Sequence, residues 1–202
     1  MARTKEYNKG QALENAMILF WAQGYTATSV QQLLDVMNIN RSSMYAEFGN
    51  KRDLFMEVMA LYNSLTKSMY EAISRADNPV EAVRNFYDIG FTQHTDKQLY
   101  QGCLLVNTIL ELRDVDNELS SIASNYFQEI EKAFARSFQN CALKGTLKQN
   151  RDPEMLAAFI MTVFKGMRVV ARQKPSRTYL NGVLETALLI FQESTESKEL
   201  IN

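Results

Sequence analysis

Apolar residues recur along this chain with a period of three to four. Ala12, Leu13, Ala16, Met17 and Phe20 follow Asn8, which makes an approximate capping pair with Gln11, and Gly24 closes the run. Thr28-Ser29-Val30-Gln31 reads as a capping box that opens a short helix through Met37, with Val30, Leu33 and Leu34 on its apolar side. Asn38 stands at the following turn, where Asn tolerates positive φ better than any residue except Gly. Asn40 then caps a second short helix, Arg41 to Phe48. Asn50 with Asp53 starts a longer helix from Lys51 to about Ser74. Asn78-Pro79-Val80-Glu81 starts another, to about Thr92, with Pro at the first helical position. Residues 92–101 are polar and read as a loop. Helices are predicted from Gly102 to Glu111 and from Asn117 to about Asn140, with a polar, irregular stretch over 144–151. Asp152-Pro153-Glu154 opens a helix to about Arg172, Lys174-Pro175 stops it, and Ser176 opens the last one, to about Glu193. The tail, 194–202, is expected to fray. About nine helices and no convincing strand predict an all-α fold.

Composition agrees with that pattern and removes several classes of function. Three Pro and 8 Gly in 202 residues leave few turns, and 46% apolar residues are enough for a sizeable core in one or two domains. With 22 basic and 23 acidic residues the net charge is -1, so a uniformly basic nucleic-acid coat is excluded. The charge is uneven, however: residues 1–52 are net basic and the remainder is slightly acidic. Two cysteines, Cys103 and Cys141, cannot form a disulfide scaffold. No apolar signal core follows the basic start, and no stretch approaches the ~18 apolar residues of a membrane span. The expectation is a cytoplasmic protein with free thiols and no membrane association. One histidine, His94, rules out a multi-histidine metal site. Without a glycine-rich phosphate loop, a nucleophile elbow or metal-ligand spacing, no enzyme activity, metal or cofactor is expected.

Residues 28–48 have the layout of a helix-turn-helix. Met44 and Phe48 are four apart and can pack inward with Leu33 and Ile39. The outward face then carries Arg41, Ser42, Ser43, Tyr45 and Ala46, which is small, polar and singly basic. Such a face suits a DNA major groove. Arg41 can bond guanine O6 and N7, Ser42 and Ser43 can bond base edges or phosphates, and Tyr45 can reach a phosphate. Lys51, in the first turn of the next helix, and Thr28, at the start of its own, mark two further phosphate sites. Arg3, Lys5 and Lys9 form a basic arm that can follow the backbone or enter the minor groove. Short capped helices with exposed serines also occur in helical proteins that bind no DNA.

The same residues carry a resemblance. Thr28-Ser29-Val30-Gln31-Gln32-Leu33, the turn Asn38-Ile39-Asn40, and Arg41-Ser42-Ser43-Met44-Tyr45-Ala46-Glu47-Phe48 with Lys51 resemble the signature of the TetR family of bacterial repressors. Phe20 and Gly24-Tyr25 resemble the family's first helix. Asn38 stands where the family usually has Gly, Leu34 where it usually has Ala, and Glu47 where an aromatic or His often faces phosphate. No phosphate role is therefore carried over to Glu47.

The resemblance implies a DNA-binding domain over 1–50 and a ligand-binding and dimerisation domain over 51–202. It implies a homodimer on a palindromic double-stranded operator, released by a small-molecule effector. The last two long helices carry wide apolar stripes, and Phe159, Val163, Met167, Leu180, Leu184 and Leu188 are the expected dimer interface. Tyr62, Phe86, Ile89, Cys103, Asn107 and Tyr126 are the expected effector residues. Cys103 lies near a helix N-terminus, which favours thiolate. It also resembles a cysteine found in a subset of the family, so a thiol-based sensor of oxidants or electrophiles is a second expectation. A helical ligand-binding protein or enzyme with a non-functional helix-turn-helix is a third.

Overall fold

The computed structural model describes residues 7–147 and 150–191. Among them the fold is all-α: α1 (Lys9–Gln23), α2 (Val30–Met37), α3 (Arg41–Phe48), α4 (Lys51–Leu65), α5 (Lys67–Arg75), α6 (Pro79–Tyr87), α7 (Asp96–Tyr100), α8 (Leu104–Leu112), α9 (Asn117–Leu143), α10 (Pro153–Ala171) and α11 (Arg177–Leu188). A π-helical turn, Asp88–Thr92, extends α6, and a 3-10 turn, Leu189–Phe191, extends α11. The tail expected to fray lies outside the described residues.

Each of the nine helices predicted from the sequence is present, with local differences that have physical causes. The capping box of α2 is one residue later than expected: the Ser29 hydroxyl accepts from Gln32 N, and Gln32 accepts from Ser29 N at 2.8 Å. The Thr28 hydroxyl instead donates to Gly24 O at 2.6 Å. The helix expected over 51–74 breaks at Thr66. There the Ser64 and Thr66 hydroxyls donate to the Leu61 and Asn63 carbonyls, and side chains of this kind compete with helical bonding. The segment expected to be a loop contains α7, capped by a Thr95–Gln98 box that the sequence reading passed over. The turn at Asn38 is left-handed as predicted, with φ 54.

The chain divides into two compact units, one of residues up to 68 with 95–129, the other of residues 69–94 with those from 130 onward. In the first, α1 packs on α2 and α4, and α8 packs on α1 and α4. Its core includes Phe20, Trp21, Leu33, Met44, Phe55 and Leu104. The Trp21 indole donates to Gly102 O at 3.2 Å. In the second, Phe86, Phe91, Phe134, Phe138 and Phe164 form a run of ring contacts with centroids about 5 Å apart. Ile73, Ile160, Met161, Leu180 and Leu188 complete the apolar interior.

Candidate nucleic-acid interface

α3 is positioned by what it buries. Met44 and Phe48 are enclosed, and they share the interior of the first unit with Leu33, Leu34 and Met37 of α2. Asn15 of α1 donates to Val36 O at 3.0 Å and ties α1 to the end of α2. Asn40 holds the start of α3, its side chain accepting from Ser43 N at 2.8 Å and from the Ser42 hydroxyl at 2.6 Å. Arg41, Ser42, Tyr45, Ala46 and Glu47 are left exposed and Ser43 half-buried. The face predicted for the groove is therefore presented to solvent on a short, rigidly capped helix.

The surrounding charges are arranged differently from the sequence reading. Lys9 belongs to the first turn of α1 and pairs with Glu47 at 2.9 Å, so it braces α3 instead of extending a basic arm. That pairing holds the Glu47 carboxyl below its usual range and the Lys9 amine above its own. Lys51 lies 4.4 Å over the Tyr25 ring, and burial lowers its amine from the usual value. Thr28 is buried and its hydroxyl is committed to Gly24, so it offers nothing to a phosphate. Arg3 and Lys5 lie outside the described residues.

A second set of contacts fixes the loop between α1 and α2. Glu111 on α8 accepts from Tyr25 N at 3.0 Å and Thr26 N at 2.6 Å. Gly24 has φ 87, which strains any residue with a side chain, and a Cβ there would stand 2.6 Å from a Glu111 carboxylate oxygen and push it from its place. Arg52, in the first turn of α4, bonds Asp116 at 2.6 and 3.2 Å and Glu118 at 2.6 Å. In the sequence Glu111 is only the last residue of the helix predicted from Gly102. Its partners are 85 and 86 residues away, and no local pattern marks such a contact.

The expected effector residues divide between the units. Tyr62, Cys103, Asn107 and Tyr126 belong to the first, Phe86 and Ile89 to the second. The structure brings Tyr62 and Cys103 together, with the Tyr62 hydroxyl 3.5 Å from the Cys103 sulfur. Asn107 turns its amide to Gln101 O at 3.0 Å. Cys103 is the N-cap residue of α8 and is buried. Of the expected interface residues, Met167, Leu180, Leu184 and Leu188 are enclosed within the chain itself and have no surface to give a partner. Phe159 and Val163 remain accessible. With Tyr179, Gly182, Val183 and Thr186 they line a shallow apolar groove on α10 and α11.

The family described as Tetracyclin repressor-like, C-terminal domain, matches residues 79–187, more than half of the chain, and that described as Bacterial regulatory proteins, tetR family, matches residues 12–58. The chain belongs to the TetR family. It is a DNA-binding transcriptional regulator, not an enzyme. The HTH-type transcriptional repressor ComR of Escherichia coli (strain K12) is 26% identical over 193 residues, covering 95% of this chain and 92% of that one. An uncharacterized HTH-type transcriptional regulator, YezE of Bacillus subtilis (strain 168), is 28% identical over 162 residues, 79% of this chain and 84% of its own. Among solved structures, a cysteine mutant of the TetR-family regulator CifR in complex with 26-base-pair double-strand operator DNA is similar with a TM-score of 0.86. Its identity is 28%, covering 95% of this chain and 100% of that one. The match over residues 12–58 spans α1 to the first half of α4, the segment that presents α3. No helix among the described residues is long and apolar enough to cross a membrane.

Proposed function

We propose that this TetR-family regulator is a dimeric repressor that holds a palindromic operator and leaves it when a small effector binds. The supporting observation is the exposed, small and polar face of α3, mounted on the buried Met44 and Phe48. Residues 1–50 act as the DNA-binding part and residues 51–202 as the effector and dimerisation part. Arg41 reads a base edge, Ser42, Ser43 and Tyr45 contact base edges or backbone, and Lys51, with Arg3 and Lys5, contacts phosphates. ComR, named as a repressor, and CifR, seen on operator DNA, support this reading. Two copies meet through the apolar groove on α10 and α11, which is open among the described residues. A two-fold dimer then sets two copies of α3 on successive major grooves. Tyr62, Cys103, Asn107 and Tyr126 remain candidate effector residues in the first unit, and Phe86 and Ile89 in the second. The effector must bind the DNA-incompetent state more tightly, since equal affinity shifts nothing.

Selection from genomic DNA at fixed salt is the test. One palindromic site should emerge, and purely sequence-independent binding would remove the repressor reading. Arg41→Ala should cost about 1–3 kcal/mol on that site and relax preference at one base pair, whereas Lys51→Ala should weaken all DNA alike. A second reading, a thiol sensor at Cys103, has its own support: the Tyr62 hydroxyl donates to the Cys103 sulfur at the start of α8. Cys103→Ser should then abolish the response to oxidants while operator binding stays intact.

A further inference from the structure

α10 is an apolar helix, and Arg168 stands on its buried face between Phe164 and Ala171. Arg168 is 2% exposed and is the one charged residue buried among the described residues. Its guanidinium carbon lies 4.7 Å from the centre of the Phe91 ring and 5.6 Å from that of Phe164. Its Nε and Nη1 are buried and have no hydrogen-bond partner. Carboxylates of the same unit are engaged elsewhere: Glu185 with Arg84, Glu131 with Lys165, and Asp88 with the Gln93 amide.

The magnitudes do not balance with the rings alone. Cation–π contacts contribute about 0.5–2 kcal/mol each, while taking an ion out of water costs several kcal/mol even after relaxation. Arginine cannot relieve this by losing its proton. Among the described residues, the groups named beside it supply no charge of opposite sign. The Tyr87 hydroxyl donates to the Met167 sulfur, and burial holds its phenol above the ordinary value, hence neutral. Burial, and then the Arg168 charge, push His94 down to about 4, so it too is neutral at neutral pH. Arg177 donates to Phe91 O and to His94 O, which brings a second guanidinium to the same segment.

The backbone at this place is also irregular. Phe91 rides on the π-helical turn Asp88–Thr92, and such insertions in a helix are frequent at functional sites. Gly90, on the same turn, lets the backbone come close to Phe164: a Cβ there would sit 2.9 Å from the ring and 3.3 Å from the Met69 methyl.

We propose that Arg168 anchors a buried site for a small organic monocarboxylate, whose carboxylate pairs with the unpartnered guanidinium edge and whose apolar body lies against Phe91, Phe164 and Tyr87. This names a chemical class for the effector and, in its regulatory meaning, rests on the effector-responsive reading above. An inorganic anion would satisfy the charge but not the rings. A neutral aromatic would satisfy the rings but leave the guanidinium bare.

The test titrates the full-length protein with benzoate and octanoate, and with benzamide and octanamide as neutral counterparts, by calorimetry and thermal shift. At least one carboxylate should bind and raise Tm, with its amide about 10- to 100-fold weaker, as expected for hydrogen bonds to a charged group. Arg168→Met, similar in reach and neutral, should keep or raise the Tm of the ligand-free protein and lose the preference for carboxylate over amide. If that variant does not fold, Arg168→Lys keeps the charge without the fork and should still cost about tenfold in carboxylate affinity. Failure of both carboxylates to bind, or equal carboxylate affinity in wild type and variant, overturns the proposal. Operator affinity measured in parallel separates the two claims. Carboxylate binding with unchanged operator affinity keeps the site and removes the effector reading. Intact operator binding without carboxylate binding removes the site and leaves the regulator.

Discussion

Arg52 and Arg168 show how differently the two units treat a positive charge. In the first unit Arg52 is bonded by Asp116 and Glu118 in part-exposed surroundings. Around it, the loop before α2 is clamped by Glu111, and α2, α3 and α4 each start on a side-chain cap. In the second unit Arg168 is enclosed by rings with two nitrogens unpartnered. One region satisfies its polar groups and thereby fixes the angle at which α3 is presented. The other has an apolar interior and one uncompensated charge, the arrangement of a site that is completed from outside. Polar satisfaction favours a single geometry, whereas an unmet buried charge leaves free energy for a ligand to release.

The contrast can be broken at its strongest point first. Glu111→Ala removes the acceptor for two backbone amides and should cost about 1–3 kcal/mol, read as a lower urea midpoint, and it should weaken operator binding as well. An unchanged midpoint would show that the loop holds its shape without the clamp. Next, Gly90→Ala should cost about 1–3 kcal/mol because its Cβ must displace a buried ring. Gly166→Ala, where a Cβ meets nothing within 4 Å, should stabilise α10 by about 0.5–1 kcal/mol. Equal effects at the two glycines would mean that the close approach at Gly90 is not tight. Ser29→Ala should cost about 1 kcal/mol of thermal stability as the lost cap of α2. Thr28→Ser, which keeps the bond to Gly24, should cost less.

A pH-dependent effect sharpens the second unit. His94 titrates near 4 in the fold and near 6.5 in the unfolded chain, so below 6.5 the unfolded state binds the proton first. Stability should therefore fall as pH drops through that window. His94→Asn should remove that component from urea melts across the same range. A slope unchanged in the variant would place the sensitivity of that window elsewhere than His94, and not with Asp116. Its pKa is depressed by Arg52, so its stabilising share is lost only at still lower pH.

Local chemistry was legible where it is local. The start signals at Asn40, Asn50, Asn78, Asp152 and Ser176 are all used as caps, and the left-handed turn at Asn38 followed from a single residue. The cap of α2 was legible only to within one position. Thr28-x-x-Gln31 and Ser29-x-x-Gln32 fit the same pattern, and the reciprocal bonds between Ser29 and Gln32 show which one is used. The inward set of α3 followed from four-residue spacing, and with it the candidate DNA-reading face. The stripes on α10 and α11 could not be divided into interior and surface. Period alone does not say which neighbour covers which flank, and Met167, Leu180, Leu184 and Leu188 proved to be interior.

By itself, then, the sequence determined an all-α chain, the helix-turn-helix over 28–48 and the family to which these belong, because caps, turn residues and helical period act over three or four positions. Only the tertiary structure decided that Lys9 braces Glu47, that Glu111 holds the loop at Tyr25, and that Arg168 is buried against Phe91 without a partner. In each case the physics is an interaction between residues tens of positions apart, whose distance and desolvation exist only once the chain has packed.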